Sequence, residues 1–131
     1  MRNFIFLVIC CLSFFACSKE SASADISGKY SGTFIRTSPL IFPTPTDVTL
    51  NLNNGSFSGT SSNARYPAIC HGSYTNDDEE INFTNACVWT ADFDWTLTLD
   101  GIYEYEIKGD RLKIWKESGE ITDVYDLRKI E

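Results

Sequence analysis

The stretch Val48-Thr49-Leu50-Asn51-Leu52-Asn53-Asn54-Gly55-Ser56-Phe57 decides the fold of this chain. Val48, Leu50 and Leu52 alternate with Thr49, Asn51 and Asn53, and a period of two puts the apolar side chains on one face of a strand. Asn54-Gly55 is the strongest short-range signal of a two-residue hairpin, because both residues accept positive φ. Phe57 stands on the returning strand. The same pattern continues outward in both directions. Upstream, Gly28-Lys29-Tyr30-Ser31-Gly32-Thr33-Phe34 opens a first strand, and Pro39, Pro43 and Pro45 make residues 37–45 a loop, since proline cannot donate to a ladder. Downstream, residues 68–74 and 80–84 form a hairpin across Asn76-Asp77-Asp78-Glu79. Trp95, Leu97 and Leu99 alternate with Thr96, Thr98 and Asp100; Tyr103, Tyr105 and Ile107 with Glu104 and Glu106; Leu112 and Ile114 with Arg111 and Lys113. Lys108-Gly109-Asp110 and Gly119 turn, and residues 124–130 end the chain as a strand. Some eight strands, each joined mostly to its neighbour, predict an all-β fold: an eight-stranded antiparallel up-and-down barrel, in which closure removes the edges. A two-sheet β-sandwich is the alternative.

Strand parity predicts the interior. Val48, Leu50, Leu52, Ile81, Phe83, Trp95, Leu97, Leu99, Tyr103, Tyr105, Ile107, Leu112, Ile114, Tyr125 and Leu127 share the inward face. Side chains of this size nearly fill eight strands and leave at most a shallow pocket at one open end. Trp95, Tyr103 and Tyr105 are the candidate ligand-binding residues, because a buried hydroxyl needs a partner that a barrel mouth supplies. Trp89, Phe93 and Trp95 cluster within seven residues. Trp115 has the opposite parity to Leu112 and Ile114, so it is expected outside as a candidate partner contact.

The amino terminus has another character. Arg2 precedes an uncharged run from Phe4 to Phe15, followed by Ala16, Cys17 and a polar turn of composition at Ser18-Lys19-Glu20. A basic start, a short apolar run and a small residue at the break match a secretory signal. The run is too short to span a bilayer comfortably, which takes about 20 residues. Phe14-Phe15-Ala16-Cys17 resembles a bacterial lipobox, with Phe14 where an aliphatic residue is usual. The resemblance implies lipidation of Cys17 by a diacylglyceryl thioether and an amide-linked acyl chain. Two or more chains meet the requirement for stable anchoring. The expected organisation is a signal peptide over 1–16, a polar tether over 17–24 and one barrel domain over 25–131. Ser18 lacks the aspartate character that suggests inner-membrane retention, so the outer membrane is the expected location, lipid-anchored, facing either the periplasm or the exterior.

Cleavage leaves 115 residues, one domain with a real core. Arg2 leaves with the signal, so the formal charge moves from -7 to -8. That balance argues against nucleic acid and against electrostatic attraction to anionic lipid. The membrane is then a partner only through the lipid on Cys17. Of five cysteines, Cys10 and Cys11 fall in the signal and Cys17 is spoken for, which leaves Cys70 and Cys87. An envelope compartment favours a bridge between them. Placing them opposite each other sets Ser73 against Thr84 and Asn76 against Ile81, with Asp78-Glu79 at the tip, so bridge and hairpin agree. The alternatives are two free thiols or half of a metal site. A single histidine, His71, and the absence of a CxxC pair speak against metal.

The Gly28-Lys29-Tyr30 entry, the eight-strand meander and the Tyr125-Asp126-Leu127-Arg128-Lys129 exit resemble the lipocalin-like (calycin) lipoproteins of bacterial envelopes. So does the stretch from Cys70-His71-Gly72-Ser73-Tyr74 through Ala86-Cys87-Val88-Trp89-Thr90-Ala91-Asp92-Phe93-Asp94-Trp95. The resemblance implies a ligand-binding barrel. It also implies a basic residue of the last strand packed over the first-strand aromatic, here Tyr30. Arg128 is the candidate, with parity opposite to Tyr125 and Leu127.

Little points to catalysis, and no cofactor or metal is expected. His71 beside Cys70 on a strand is expected on the opposite face, away from a nucleophile. Asp77-Asp78-Glu79-Glu80 lacks the ligand alternation and glycine of a calcium loop and reads as a solvated turn. Asp92 and Asp94 have the spacing of a carboxylate pair but no further support for glycoside chemistry. The expected function is non-enzymatic binding of a small apolar or amphipathic ligand. The alternative is a protein-binding module, such as an envelope inhibitor of a protease or lysozyme, whose acidic surface suits a basic enzyme. An interior cavity favours the first, and a filled interior with a protruding apolar loop at residues 38–45 favours the second.

Overall fold

The computed structural model describes residues 23–90 and 92–131. The signal, Cys17 and most of the tether therefore lie outside the described residues. Eight strands follow one another: β1 (Gly28–Thr37), β2 (Thr46–Asn53), β3 (Ser56–Ser61), β4 (His71–Asn76), β5 (Glu80–Asn85), β6 (Gly101–Lys108), β7 (Arg111–Ser118) and β8 (Ile121–Lys129). Each pairs antiparallel with its neighbour, and β8 returns to β1, so the sheet is a closed up-and-down barrel. Asn54 and Gly55 have positive φ between β2 and β3, as the hairpin requires. In the β4–β5 hairpin Ser73 faces Thr84 and Asn76 faces Ile81, the predicted register.

One expected strand is absent. Residues 95–99 form a single 3₁₀ turn, Trp95–Leu97, and an extended stretch after it. The Asp94 carboxylate accepts from the Thr96 backbone N–H at 3.0 Å and from the Thr96 hydroxyl at 2.6 Å. Such a capping carboxylate offers the backbone an alternative to a ladder. Leu97 and Leu99 are still buried, but Trp95 is 51% exposed, so its predicted inward place is corrected. Ile107 is only partly buried. The other predicted interior residues are buried, together with Ile26, Tyr30, Phe34, Phe57, Ile69 and Tyr74.

Three glycines bend the strands closely enough to close around that core. A Cβ on Gly32 would lie 2.0 Å from the Asp126 carbonyl oxygen, and one on Gly72 2.0 Å from that of Thr84. Gly59 approaches the Thr49 carbonyl in the same way, at 2.3 Å. Glycine inside a strand marks such a corner.

The topology gives the barrel two unlike ends. Residues 54–55, 77–79 and 109–110 make the tight-turn end, and both described chain ends lie there. Ile26 plugs it: Tyr30 donates to the Ile26 carbonyl at 2.8 Å, and Asn76 to that of Ala24 at 3.0 Å. Residues 38–45, 62–70 and 86–100, the long connections, share the opposite end with the short turn at 119–120.

Burial holds the hydroxyls of Tyr30, Tyr103 and Tyr125 above the ordinary tyrosine range. A raised folded-state value contributes stability that is whole below the unfolded value, about 10, and lost as pH climbs toward the folded one. We therefore expect the barrel to weaken above pH ~10. Ultraviolet titration should show the phenols of Tyr30, Tyr103 and Tyr125 ionising only as the sheet signal in circular dichroism collapses. Ionisation of these three before that collapse would contradict their burial.

Candidate functional site

The loop end is built on a buried ion pair. Arg36 ends the inward face of β1 and is 2% exposed; Asp123 opens that of β8 and is 6% exposed. Arg36 Nε and Nη2 donate to the two Asp123 carboxylate oxygens at 2.6 and 2.7 Å. Nη1 reaches Asp94 Oδ2 at 3.1 Å and Thr96 Oγ1 at 2.9 Å, and Nη2 also reaches the Thr96 carbonyl at 3.0 Å. One guanidinium thus fastens the 86–100 connection to β8, with its fork filled on both sides. The hydrogen bonds to Asp123 hold Arg36 above its ordinary pKa against desolvation. Ala68 and Leu97–Leu99 pair across the mouth, the Ala68 N–H donating to the Leu97 carbonyl and the Leu99 N–H to that of Ala68, both at 3.0 Å. This stopper lies across the loop end of the barrel.

The three candidate ligand residues do not share a pocket. Tyr103 is buried under the stopper, its hydroxyl donating to the Thr98 carbonyl at 3.4 Å. The Tyr105 hydroxyl sits toward the other end, donating to the Asp77 carbonyl and accepting from Asn76 at 3.1 Å. Trp95 lies outside the stopper. A hollow of about 350 Å³ is lined by residues of β1–β3, including Lys29, Tyr30, Leu50, Asn51 and Ser58. Arg128 is exposed and pairs with Asp110 at 3.2 Å, so it does not pack over Tyr30.

Outside the stopper lies an aromatic row. Trp95 stacks on Phe93 with centroids 5.2 Å apart, and Phe93 on Trp89 at 5.6 Å. Arg65 stands over the Phe93 ring at 5.6 Å and pairs with Asp92 at 3.6 Å. Trp89 also lines a hollow of about 290 Å³ with Arg65, Pro67 and Ile69. Its indole N–H is buried with no hydrogen-bond partner among the described residues. At the same end of the barrel the β1–β2 connection projects Leu40 and Phe42, 94% and 93% exposed, and Val88 is 97% exposed.

The acids are accounted for otherwise. The hydroxyl of Thr90 holds the Asp92 carboxyl below its usual range, with help from Arg65. The hydroxyl of Thr96 does the same for Asp94, with help from Arg36. Asp77 accepts from the Glu79 and Glu80 N–H groups at 2.8 and 2.7 Å and caps the predicted turn. Trp115 lies on the outer face, half-buried, with Lys113 Nζ 5.4 Å from its ring.

Cys70 and Cys87 form the predicted disulfide, with Cα atoms 6.3 Å apart. A closed loop of this size adds about 3 kcal/mol in the chain-entropy account. His71 is not turned away from it, contrary to expectation. Its Nδ1 lies 3.3 Å from Cys70 Sγ and 3.2 Å from Cys87 Sγ. Cys70 stands just before β4, so strand alternation does not separate it from His71.

Sequence reasoning missed Arg36 and Asp123. The available signal was parity: Arg36 shares the inward face of Tyr30 and Phe34, and Asp123 that of Tyr125 and Leu127. The chain matches no protein-family model, no curated protein and no solved structure.

Proposed function

We propose that this protein is a non-enzymatic binding module of the bacterial envelope, held by a lipid on Cys17, that grips a partner protein with its loop end. The carrying observation is the combination of a filled, stoppered interior with Leu40 and Phe42 projecting almost fully exposed. Apolar anchors of this kind are what binding hot spots are made of. The formal charge favours a basic partner, an envelope lysozyme or protease among them. Ala24 and Ile26 sit at the tight-turn end, so on this reading an anchor ahead of them directs the loops away from the membrane. Carriage of a small apolar ligand, which the lipocalin-like resemblance implies, ranks second because the inward side chains form one buried apolar cluster under the stopper.

Two experiments test this. Binding to a panel of basic lysozymes and serine proteases is measured by calorimetry for wild type, Leu40→Ser and Phe42→Ser. Each substitution is expected to cost about 2 kcal/mol, roughly 30-fold in Kd. Equal affinity of all three forms, or no binding across the panel while wild type takes up an apolar dye, returns the ligand reading to first place. For the anchor, Cys17→Ser should move the protein from the membrane fraction to the soluble envelope fraction. A variant that still pellets with membranes after high-salt washing refutes the lipid assignment.

A further inference from the structure

The geometry points to a second state of the Cys70–His71–Cys87 cluster: we infer that reduction of the bridge creates a site for a thiophilic divalent cation of the zinc class. Among the described residues this is the group of three side chains whose ligand atoms converge, all within 4.8 Å of one another. His71 Nδ1 already touches both sulfurs, at 3.3 and 3.2 Å. Two thiolates and one imidazole are a donor set that such cations take tetrahedrally, with water completing the shell.

Hydrogen bonds hold the three residues in addition to the sulfur–sulfur bond: Asn85 Nδ2 donates to the Cys87 carbonyl at 2.9 Å. The Gly59 N–H donates to the Cys70 carbonyl at 2.9 Å, and the Ala86 N–H donates to the His71 carbonyl at 2.9 Å. Metal–sulfur bonds of ~2.3 Å at a tetrahedral angle place two thiolates about 3.8 Å apart. The sulfurs therefore need to part by just under about 2 Å from their bonded separation. Cα atoms 6.3 Å apart leave room for that by side-chain rotation. His71 is exposed and both cysteines are half-buried, so an ion can enter from solvent. The net negative charge of the chain favours its approach.

The chemistry balances with a dithiol as reductant. A dithiol gives two electrons and two protons to the bridge, leaving Cys70 and Cys87 as thiols, and itself closes to a disulfide. Binding of the cation displaces both thiol protons to solvent, and Nδ1 donates a neutral lone pair. A disulfide-class oxidant runs the sequence backward and expels the ion. The cluster thus reports the redox poise of its surroundings as bound or released metal.

The test uses the full chain carrying Cys10→Ser, Cys11→Ser and Cys17→Ser, so that Cys70 and Cys87 are its thiols. The chain is reduced with a phosphine, desalted anaerobically and titrated with Co2+. Thiolate-to-cobalt charge-transfer absorption should rise to one equivalent in the reduced chain and be absent in the oxidised one. Zn2+ should displace the cobalt. His71→Ala and His71→Gln should each weaken Co2+ binding by about tenfold or more with the sheet intact by circular dichroism. The inference is overturned if the reduced chain shows no charge-transfer band, or if both His71 variants bind as wild type. Loss of the sheet signal on reduction overturns it equally, since the site depends on the closed barrel.

Discussion

Arg36→Ala should destabilise the barrel by about 3–5 kcal/mol, the range for removing one partner of a buried ion pair. In a domain of this size that corresponds to a fall in Tm of roughly 12 °C or more. The cost arises on both sides of the guanidinium. Asp123, 6% exposed, would lose both guanidinium hydrogen bonds to its carboxylate. Thr96 would lose the donors to its hydroxyl and its carbonyl, the hydroxyl keeping only its bond to Asp94. The 86–100 connection would then detach before the strands melt, which hydrogen exchange reads as early loss of protection at the Leu97 and Leu99 amides. Arg36→Met combined with Asp123→Leu should recover most of the loss, because an apolar pair of similar volume carries no desolvation cost. A single variant that melts within about 1 kcal/mol of wild type would show that water reaches the pair.

Gly32→Val is expected to be as damaging for a different reason. Its Cβ would stand 2.0 Å from the Asp126 carbonyl oxygen and 2.8 Å from Leu127 Cα, both backbone atoms of the adjoining strand. No side-chain rotation relieves an overlap with backbone. The β1–β8 seam, which closes the barrel, must part at Gly32↔Leu127. We expect a loss of about 3 kcal/mol or more, at the upper end for overpacking, and a collapse of soluble yield. Ser31→Val, one residue away on the outer face, should fold with little change. Thermal melting compares the two, and a Gly32→Ala protein melting like wild type would mean that the seam bends without glycine.

The strands were legible because each is half-buried, and a half-buried strand writes its alternation into the chain. Val48 to Phe57 carried both the period and the turn, and placing Cys70 opposite Cys87 set the register of the β4–β5 hairpin. The interior was legible for the same reason, with Trp95 as the instructive exception. Trp95, Leu97 and Leu99 repeat every second residue, yet Asp94 caps the backbone before a ladder can form. Period alone cannot separate a strand from an extended stopper, since both bury alternate side chains. The loop end was opaque for a further reason. Arg36 is paired with Asp123, 87 residues away, and with Asp94, 58 away. Nothing local in either stretch announces a partner so distant. His71 escaped because alternation was extended one residue beyond the strand, to Cys70.

The β1–β2 connection has a freedom that the 86–100 connection lacks. Its hydrogen bonds among the described residues stay within itself: Ile41 N–H and Leu40 N–H to Ser38, and the Thr44 hydroxyl to the Phe42 carbonyl. Leu40 and Phe42 are 94% and 93% exposed. Substitutions there are expected to leave the folding equilibrium nearly unchanged. If the proposed binding role holds, a lineage built on this scaffold could exchange its target by rewriting a few codons between Ser38 and Pro45 without touching what makes the barrel stand. Residues such as Arg36 and Gly32 would meanwhile remain under a constraint that has nothing to do with recognition.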